Sequence, residues 1–460
     1  MEKIKTGGLR RRLAIGAAGA KGGLGLLTSK ASSLLLPKDQ QKAHNDAAMQ
    51  REAMRFVKEL GELKGAYVKI GQMLALYGEH LLPKPVTDAL HTLESQTTAL
   101  DWSVIESALF DNLGDKFSQL VVDQQSFAAA SLAQVHKARF KFDKELPNSE
   151  MQICIKVQYP GIADAIEDDF KNVMQMLALS RWLKSGQQLE MLSKELKTQL
   201  LREVDYCHEL EAAETMRSNL VGDSRYLIPK YYPDFCNSQV LTMQFSYGVE
   251  VTHPSVKALS QKRRNALAIA MLELFLKEAF DWQLMQTDPN FGNYRIVIDE
   301  NGDNDVIVLL DFGAVQHLDP EFSQSLKKTI LASQVVDMPT IIEGAIELGC
   351  LTDDDTDIVK ESFATFCCFI LEPFSPNIAS LPEFARTEDM LYDWQNSKLL
   401  KRAGKMGSEG MLVKGFVVPP AEFMLMVRKL TGVFTFVSSL GAQLDSADLL
   451  LSYAESGDKQ

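Results

Sequence analysis

Two short polar clusters joined by a hairpin constrain this 460-residue chain more than anything else in it. Asp288-Pro-Asn-Phe-Gly-Asn293 follows a helical stretch and leads into Tyr294-Arg-Ile-Val-Ile298. Val306-Ile-Val-Leu-Leu310 then runs into Asp311-Phe312-Gly313. Both apolar runs have strand character, and they flank Asn301-Gly302, a dipeptide suited to a tight hairpin turn. The clusters therefore sit on either side of one hairpin. Asn293 and Asp311 each offer a hard oxygen of the kind that binds Mg²⁺.

Composition removes several function classes. Apolar residues make up 46% and charged residues 24%, so the chain is globular rather than disordered. A formal charge of −13 argues against a nucleic-acid partner, since phosphate contacts need an excess of Lys and Arg. That charge is uneven: residues 1–38 hold eight Lys or Arg against the single acid Glu2, leaving a strongly acidic remainder. A basic lead on an acidic body suits an anionic membrane face. Six cysteines form no CxxC pair, and no histidine stands at metal-ligand spacing from one, which reads as reduced thiols in a cytosol-like compartment and no zinc site. No segment reaches the roughly 18 uncharged apolar residues needed to span a bilayer. Leu13–Leu36 comes nearest but contains Lys21 and Lys30, so it reads either as a helix lying on a membrane surface or as a flexible tail.

Along the chain four stretches follow one another: a basic Gly/Ala-rich tail over 1–45, a helical extension over 46–115, a β-rich part with inserted helices over 116–246, and a helical part over 247–460. In the extension Val57, Leu60, Leu63, Tyr67, Ile70, Leu74 and Tyr77 recur every three or four positions, and Pro83 and Pro85 end the pattern. Strand-like runs come at 120–122, 133–135, 153–157 and 240–243, with helical texture at 101–115 and 162–220.

Two further motifs stand upstream. Phe127-Ala-Ala-Ala-Ser-Leu-Ala-Gln-Val135 aligns with the phosphate-covering loop of protein kinases, GxGxxGxV, with Ala128, Ala130 and Ala133 on the glycine positions and Val135 on the valine. Ala129 and Ser131 lie between them. Small residues let backbone N–H groups approach phosphate oxygens, although an alanine-rich turn can equally serve close packing. Lys156 in Ile153-Cys-Ile-Lys-Val157 resembles the kinase strand lysine, which holds the α- and β-phosphates and is oriented by a helical glutamate. On its own it could instead be a solvated strand lysine. Asp288 and Asn293 have the spacing of the kinase catalytic loop, and Asp311-Phe-Gly is the metal-binding triplet. Four such motifs in the right order predict an α+β, protein-kinase-like bilobal fold: a small β-rich lobe with inserted helices, a larger helical lobe and a helical extension in front. The cofactors expected are ATP or ADP with Mg²⁺. Two departures argue against protein substrates: Asn290 replaces the lysine that steadies the transferring phosphoryl group, and Asp319-Pro320 caps a helix where an Ala-Pro-Glu segment and a peptide platform would follow.

The chain resembles the UbiB/ADCK atypical kinase-like proteins of coenzyme Q and isoprenoid-lipid metabolism. Lys69-Ile-Gly-Gln72 is similar to that family's KxGQ motif. Further matches are Phe127–His136, Val157-Gln-Tyr-Pro-Gly161, Glu203-Val-Asp-Tyr206 through Glu209, and Thr287–Asn293. The resemblance implies that Lys69 and Gln72 lie on an extension folding over the nucleotide cleft, that Glu203 and Asp205 form an acidic pair near it, and that Glu209 partners Lys156. Glu203 and Asp205 are two apart and do not share a helix face, so a helix boundary or distortion is expected near Val204. Gln286 stands where relatives often carry His, and its amide can still hold the loop.

The function expected is an ATP-binding atypical kinase or ATPase that supports ubiquinone or isoprenoid-lipid metabolism from the cytoplasmic side of a membrane, attached peripherally. Asp288, Lys156 and Glu209 would be catalytic, and Asn293 and Asp311 would hold metal. Partners expected are nucleotide, an anionic surface or a lipid or quinone intermediate, lipid-biosynthetic enzymes, and a second copy in a homodimer. The alternative is a catalytically weak nucleotide-binding scaffold. A protein kinase is the third and least favoured reading.

Overall fold

The structure is a computed structural model describing residues 38–63, 65–77, 82–95, 99–141, 152–179, 182, 187–288, 290–410 and 419–455. Apart from Lys38, the basic lead over 1–38, with its Leu13–Leu36 stretch, lies outside the described residues. The chain divides into two compact units, one taking Met1–Leu210 and Lys230–Phe245, the other Glu211–Pro229 and Ser246–Gln460.

The first unit opens with helices α1 (Lys38–Leu63), α2 (Ala66–Tyr77), α3 (Lys84–Leu90) and α4 (Trp102–Leu113). Strands β1 (Leu120–Val122), β2 (Ala128–Ala129), β3 (Ala133–Phe140) and β4 (Gln152–Gln158) follow, then α5 (Ile162–Leu179), α6 (Gln187–Arg202) and α7 (Tyr206–Asn219), which begins here. The antiparallel sheet runs β1-β3-β4-β6, with β2 on β3 and β6 at Val240–Gln244; β5 belongs to the other unit. Its register sets Val135 opposite Lys156 and Lys156 opposite Leu241. Side chains alternate across a strand, so Val135, Lys156 and Leu241 share one face.

Helix α2 departs from the amphipathic picture. Beyond the expected Tyr67, Ile70 and Leu74, it also buries Ala66, Val68, Met73 and Ala75. A helix apolar around most of its circumference is an inner helix, and α2, with only Lys69 and Gln72 as charged or amide side chains, packs on α1, α3, α5 and α6. Gly71 makes this possible, because a Cβ there would collide with Leu93 and crowd Leu60.

In the second unit β5 (Tyr226–Leu227) runs parallel to β9 (Val306–Leu309), which forms the expected hairpin with β8 (Tyr294–Val297). A second ribbon pairs β7 (Leu284–Gln286) with β10 (Val315–His317), setting Gln286 opposite Val315. Helices α8 (Pro254–Lys257), α9 (Gln261–Leu276), α10 (Pro320–Gln334), α11 (Met338–Glu347) and α12 (Asp357–Ile370) make most of the rest. They are joined by β11 (Tyr392–Asp393), α13 (Leu399–Gly410), α14 (Ala421–Ser439), β12 (Gln443–Leu444) and α15 (Ala447–Glu455). Asp319 caps α10 by accepting from the N–H groups of Glu321 and Phe322, as Asp319-Pro320 predicts. The core forms where α9 meets α14, with Met271 and Phe275 from one and Leu430, Phe434 and Val437 from the other buried. Among the described residues no helix is long and apolar enough to cross a membrane.

Candidate active site

In the first unit the alanine-rich turn is a closed hairpin. Phe127 N–H donates to the Val135 carbonyl at 2.8 Å and Ala130 N–H to that of Ala133 at 2.8 Å, and the Tyr159 hydroxyl donates to the Ala130 carbonyl at 3.1 Å. None of Ala128, Ala129, Ala130, Ser131 or Ala133 takes a positive φ. The conformational freedom that glycine would supply is not used, so alanine fits without strain. Ala128 and Ala130 are exposed, Ala129 and Ser131 half-buried and Ala133 buried.

Lys156 Nζ donates to both carboxylate oxygens of Glu209, at 2.9 and 2.7 Å, and lies 4.9 Å from the centre of the Tyr206 ring. Glu209 is 2% exposed, so its charge depends on this ammonium. Helix α7 presents it in its first turn, where the helix dipole favours an anion. Asp205 starts that helix: its Oδ1 accepts from the N–H groups of Cys207 at 3.1 Å and His208 at 3.2 Å. The break between α6 and α7 falls at Glu203–Asp205, beside Val204. Asp205 thus places Glu209, while its neighbour Glu203 pairs with Lys69 from α2. Gln72 goes elsewhere, donating to the Leu93 carbonyl at 3.3 Å within the helical layer. The two polar residues of the Lys-x-Gly-Gln motif share a helix face but not a partner. Beside Lys156, burial pushes the Cys154 thiol up to about 12 against the pull of the ammonium, so it stays protonated at neutral pH.

In the second unit Asp288 is held from two sides. Asn293 Nδ2 donates to Asp288 Oδ2 at 3.0 Å, and the Arg428 guanidinium donates to Asp288 Oδ1 at 2.8 Å. Asn290 Oδ1 accepts from Gly292 N–H at 2.8 Å and caps the single turn over Phe291–Asn293. Asp311 Oδ1 accepts from Gly313 N–H at 3.0 Å, and Phe312 is buried beside it. Gln286 joins the two loops, its Oε1 accepting from Asp288 N–H at 2.5 Å and its Nε2 donating to the Asp311 carbonyl at 3.0 Å. Thr287 adds two bonds to the Ala314 carbonyl, from N–H at 3.1 Å and from the hydroxyl at 2.8 Å. Gln286 therefore supplies the tie between the two loops. The amide NH₂ of Asn293 is committed to Asp288, which makes its carbonyl oxygen the atom to offer a cation, and the N–H of Leu310, the residue before Asp311, donates to the Asn293 main-chain carbonyl at 3.0 Å. This donor set of hard oxygens fits Mg²⁺.

Arg428 escaped the sequence reading. Its signal was present: Arg428-Lys429 sits inside the apolar helix Phe423–Phe436, and two cations there must find anions. Lys429 finds Glu278 at 2.7 Å with both residues 1% exposed. Burial pushes the Glu278 carboxyl up while the ammonium opposite pulls it back.

Residues 92–345 match the ABC1 atypical kinase-like domain. The chain is 27% identical to the mitochondrial atypical kinase COQ8 of Saccharomyces cerevisiae over 400 residues, covering 86% of this chain and 74% of that one. It is 27% identical to mitochondrial atypical kinase COQ8B of Rattus norvegicus over 454 residues, covering 97% and 80%. A probable protein kinase UbiB of Haemophilus ducreyi is 29% identical over 337 residues, or 71% of this chain and 60% of that one. Among solved structures, the Mycobacterium tuberculosis protein Rv3197 in complex with erythromycin superposes with a TM-score of 0.58 at 20% identity, covering 92% of this chain and all of that one. The kinase-like α+β fold expected from the motifs agrees with these matches, and the chain belongs to the ABC1 atypical kinase-like family.

Proposed function

We propose that this chain is an ATP-dependent enzyme, an ATPase or small-molecule kinase rather than a protein kinase, that supports ubiquinone or isoprenoid-lipid metabolism at a membrane. The observation that carries it is the pair of loops tied by Gln286, which gathers Asp288, Asn293 and Asp311 in the second unit. Lys156, set by Glu209, is the residue of the first unit on which the α- and β-phosphates depend, and the turn over Ala128–Ala133 offers its backbone to phosphate. Asp288 accepts the proton of the attacking group, and Asn293 fixes that carboxylate. Mg²⁺ held by Asn293 and Asp311 would offset the charge of the phosphates. Lys69, restrained by Glu203, holds the extension that excludes bulky substrates. The relatives named COQ8 and UbiB support a ubiquinone-related role, and the basic lead supports peripheral attachment, its residues contributing on the order of 1 kcal/mol each at an anionic surface.

The test measures thermal unfolding with Mg²⁺-ATP and Mg²⁺-ADP, and ATP turnover with and without anionic liposomes. Saturating nucleotide should raise the melting temperature, and liposomes should raise turnover and lose that effect when residues 1–38 are deleted. No nucleotide shift would remove the kinase-like reading. A shift without turnover under any condition would favour the scaffold.

A further inference from the structure

The catalytic loop of this chain lacks its cation. Where protein kinases carry a lysine two residues after the catalytic aspartate, Asn290 is neutral, exposed and engaged in capping its own turn through Gly292 N–H at 2.8 Å. A transferring phosphoryl group bears negative charge on its equatorial oxygens, and a positive group close to the proton-accepting carboxylate is one of the largest contributions a site can make.

We infer that Arg428 supplies that cation from helix α14, as the positioning residue of Asp288 and the positive charge beside the transferred phosphoryl group. This rests on the phosphoryl-transfer reading above. Four observations carry it. Arg428 Nη2 lies 2.8 Å from Asp288 Oδ1, so the charge sits on the carboxylate that a lysine at position 290 would have touched. The other oxygen, Oδ2, receives Asn293 Nδ2 at 3.0 Å, so the carboxylate is fixed at both ends and aimed. The helix carrying Arg428 cannot drift, because the next residue, Lys429, is sealed against Glu278 at 2.7 Å with Tyr294 beside it. The ion pair itself is not sealed, with Arg428 24% and Asp288 26% exposed, which leaves it within reach of a ligand. A guanidinium has five donors in a planar fork and can hold a carboxylate and receive a phosphoryl oxygen together. In the step this assigns, the acceptor oxygen forms a bond to the γ-phosphorus as the bond from that phosphorus to the bridging oxygen breaks. ADP leaves with the electron pair, the acceptor proton passes to Asp288, and Arg428 keeps its charge throughout.

The opposite role is equally concrete: an arginine clamped on Asp288 could restrain it and hold activity down. Steady-state ATP turnover and nucleotide-induced thermal shift of Arg428→Met, Arg428→Gln and the double variant Asn290→Lys/Arg428→Met in the full chain separate the two. The expected result is a kcat about a hundredfold lower in both single variants, with KM for ATP within about threefold and the thermal shift retained. Restoring a cation in the loop should return at least tenfold of the lost kcat in the double variant. Single variants that turn over at the unaltered rate or faster, or a double variant no better than Arg428→Met, would overturn the inference. Should Arg428→Met fail to fold, Arg428→Gln, which keeps a hydrogen-bonding amide, takes its place in the comparison. An unaltered chain with neither thermal shift nor turnover would instead remove the phosphoryl-transfer reading, a result distinct from normal turnover without Arg428.

Discussion

Lys156 and Lys429 each meet a glutamate at 2.7 Å, yet the two pairs differ in what surrounds them. Lys429 and Glu278 are both 1% exposed and lie between α9 and α14 in the second unit. Lys156, in the first unit, is 20% exposed, with only its partner Glu209 fully covered. Distance alone says nothing about function. A lysine sealed on every side cannot exchange its carboxylate for a phosphate, so Lys429 is structural, and it fixes the helix that also carries Arg428. A lysine with an open flank can hold both. Exposure, not distance, separates a sealed brace from a lysine that a ligand can reach.

Breaking the sealed pair should give the largest effect. Lys429→Met strands a buried carboxylate and should cost about 3–5 kcal/mol in urea unfolding, and adding Glu278→Gln should recover a substantial part. An unchanged midpoint in Lys429→Met would end the distinction. Leu74→Ala, in the buried helix α2, should cost about 2–5 kcal/mol by leaving a cavity. The proposed metal site is next. Nucleotide at a hundredfold over its Kd stabilises by about 2.7 kcal/mol, and Asp311→Asn should remove most of the Mg²⁺-dependent part while leaving the unliganded protein nearly as stable. For the open pair, Lys156→Met and Glu209→Gln should each weaken the nucleotide shift. The double variant should be less than additive, with a coupling of about 0.5–3 kcal/mol. Strict additivity would mean the contact has no energetic weight. The half-exposed pair Lys69–Glu203 should matter least for stability, under about 1 kcal/mol in Lys69→Ala, while nucleotide preference or self-phosphorylation changes. No change in binding, turnover or self-phosphorylation would reduce it to a brace.

Most of the fold was legible because its signals are local. Asn301-Gly302 announces the β8–β9 hairpin, Asp319-Pro320 the start of α10, and the two-residue offset of Glu203 and Asp205 the break between α6 and α7. The candidate site was legible because Lys156, Asp288, Asn293 and Asp311 stand at recognisable spacings, and the structure sets Lys156 on Glu209 and Asn293 on Asp288. Burial beyond one face of α2 was not, since periodicity marks the first packed face and Val68 and Met73 fill the others only once several helices surround them. Gln72 was read with Lys69 because the KxGQ motif holds both, but its Leu93 partner is set by where residues 91–95 lie, which a motif on α2 cannot report. Arg428 was missed because its partner is 140 residues away. No local pattern records such a pairing; only the oddity of two cations in an apolar helix hints at it.

Gln286 has a consequence for motion. Its one amide bonds the backbone of Asp288 and of Asp311, while Thr287 bonds twice to Ala314 and β7 pairs with β10. The two acidic loops are thereby fastened across a single short ribbon, and neither can open while the other stays closed. In hydrogen exchange the amides of Thr287 and Asp288 should fall into one protection class and be released in one opening event. A cation that binds either loop would then slow exchange in both.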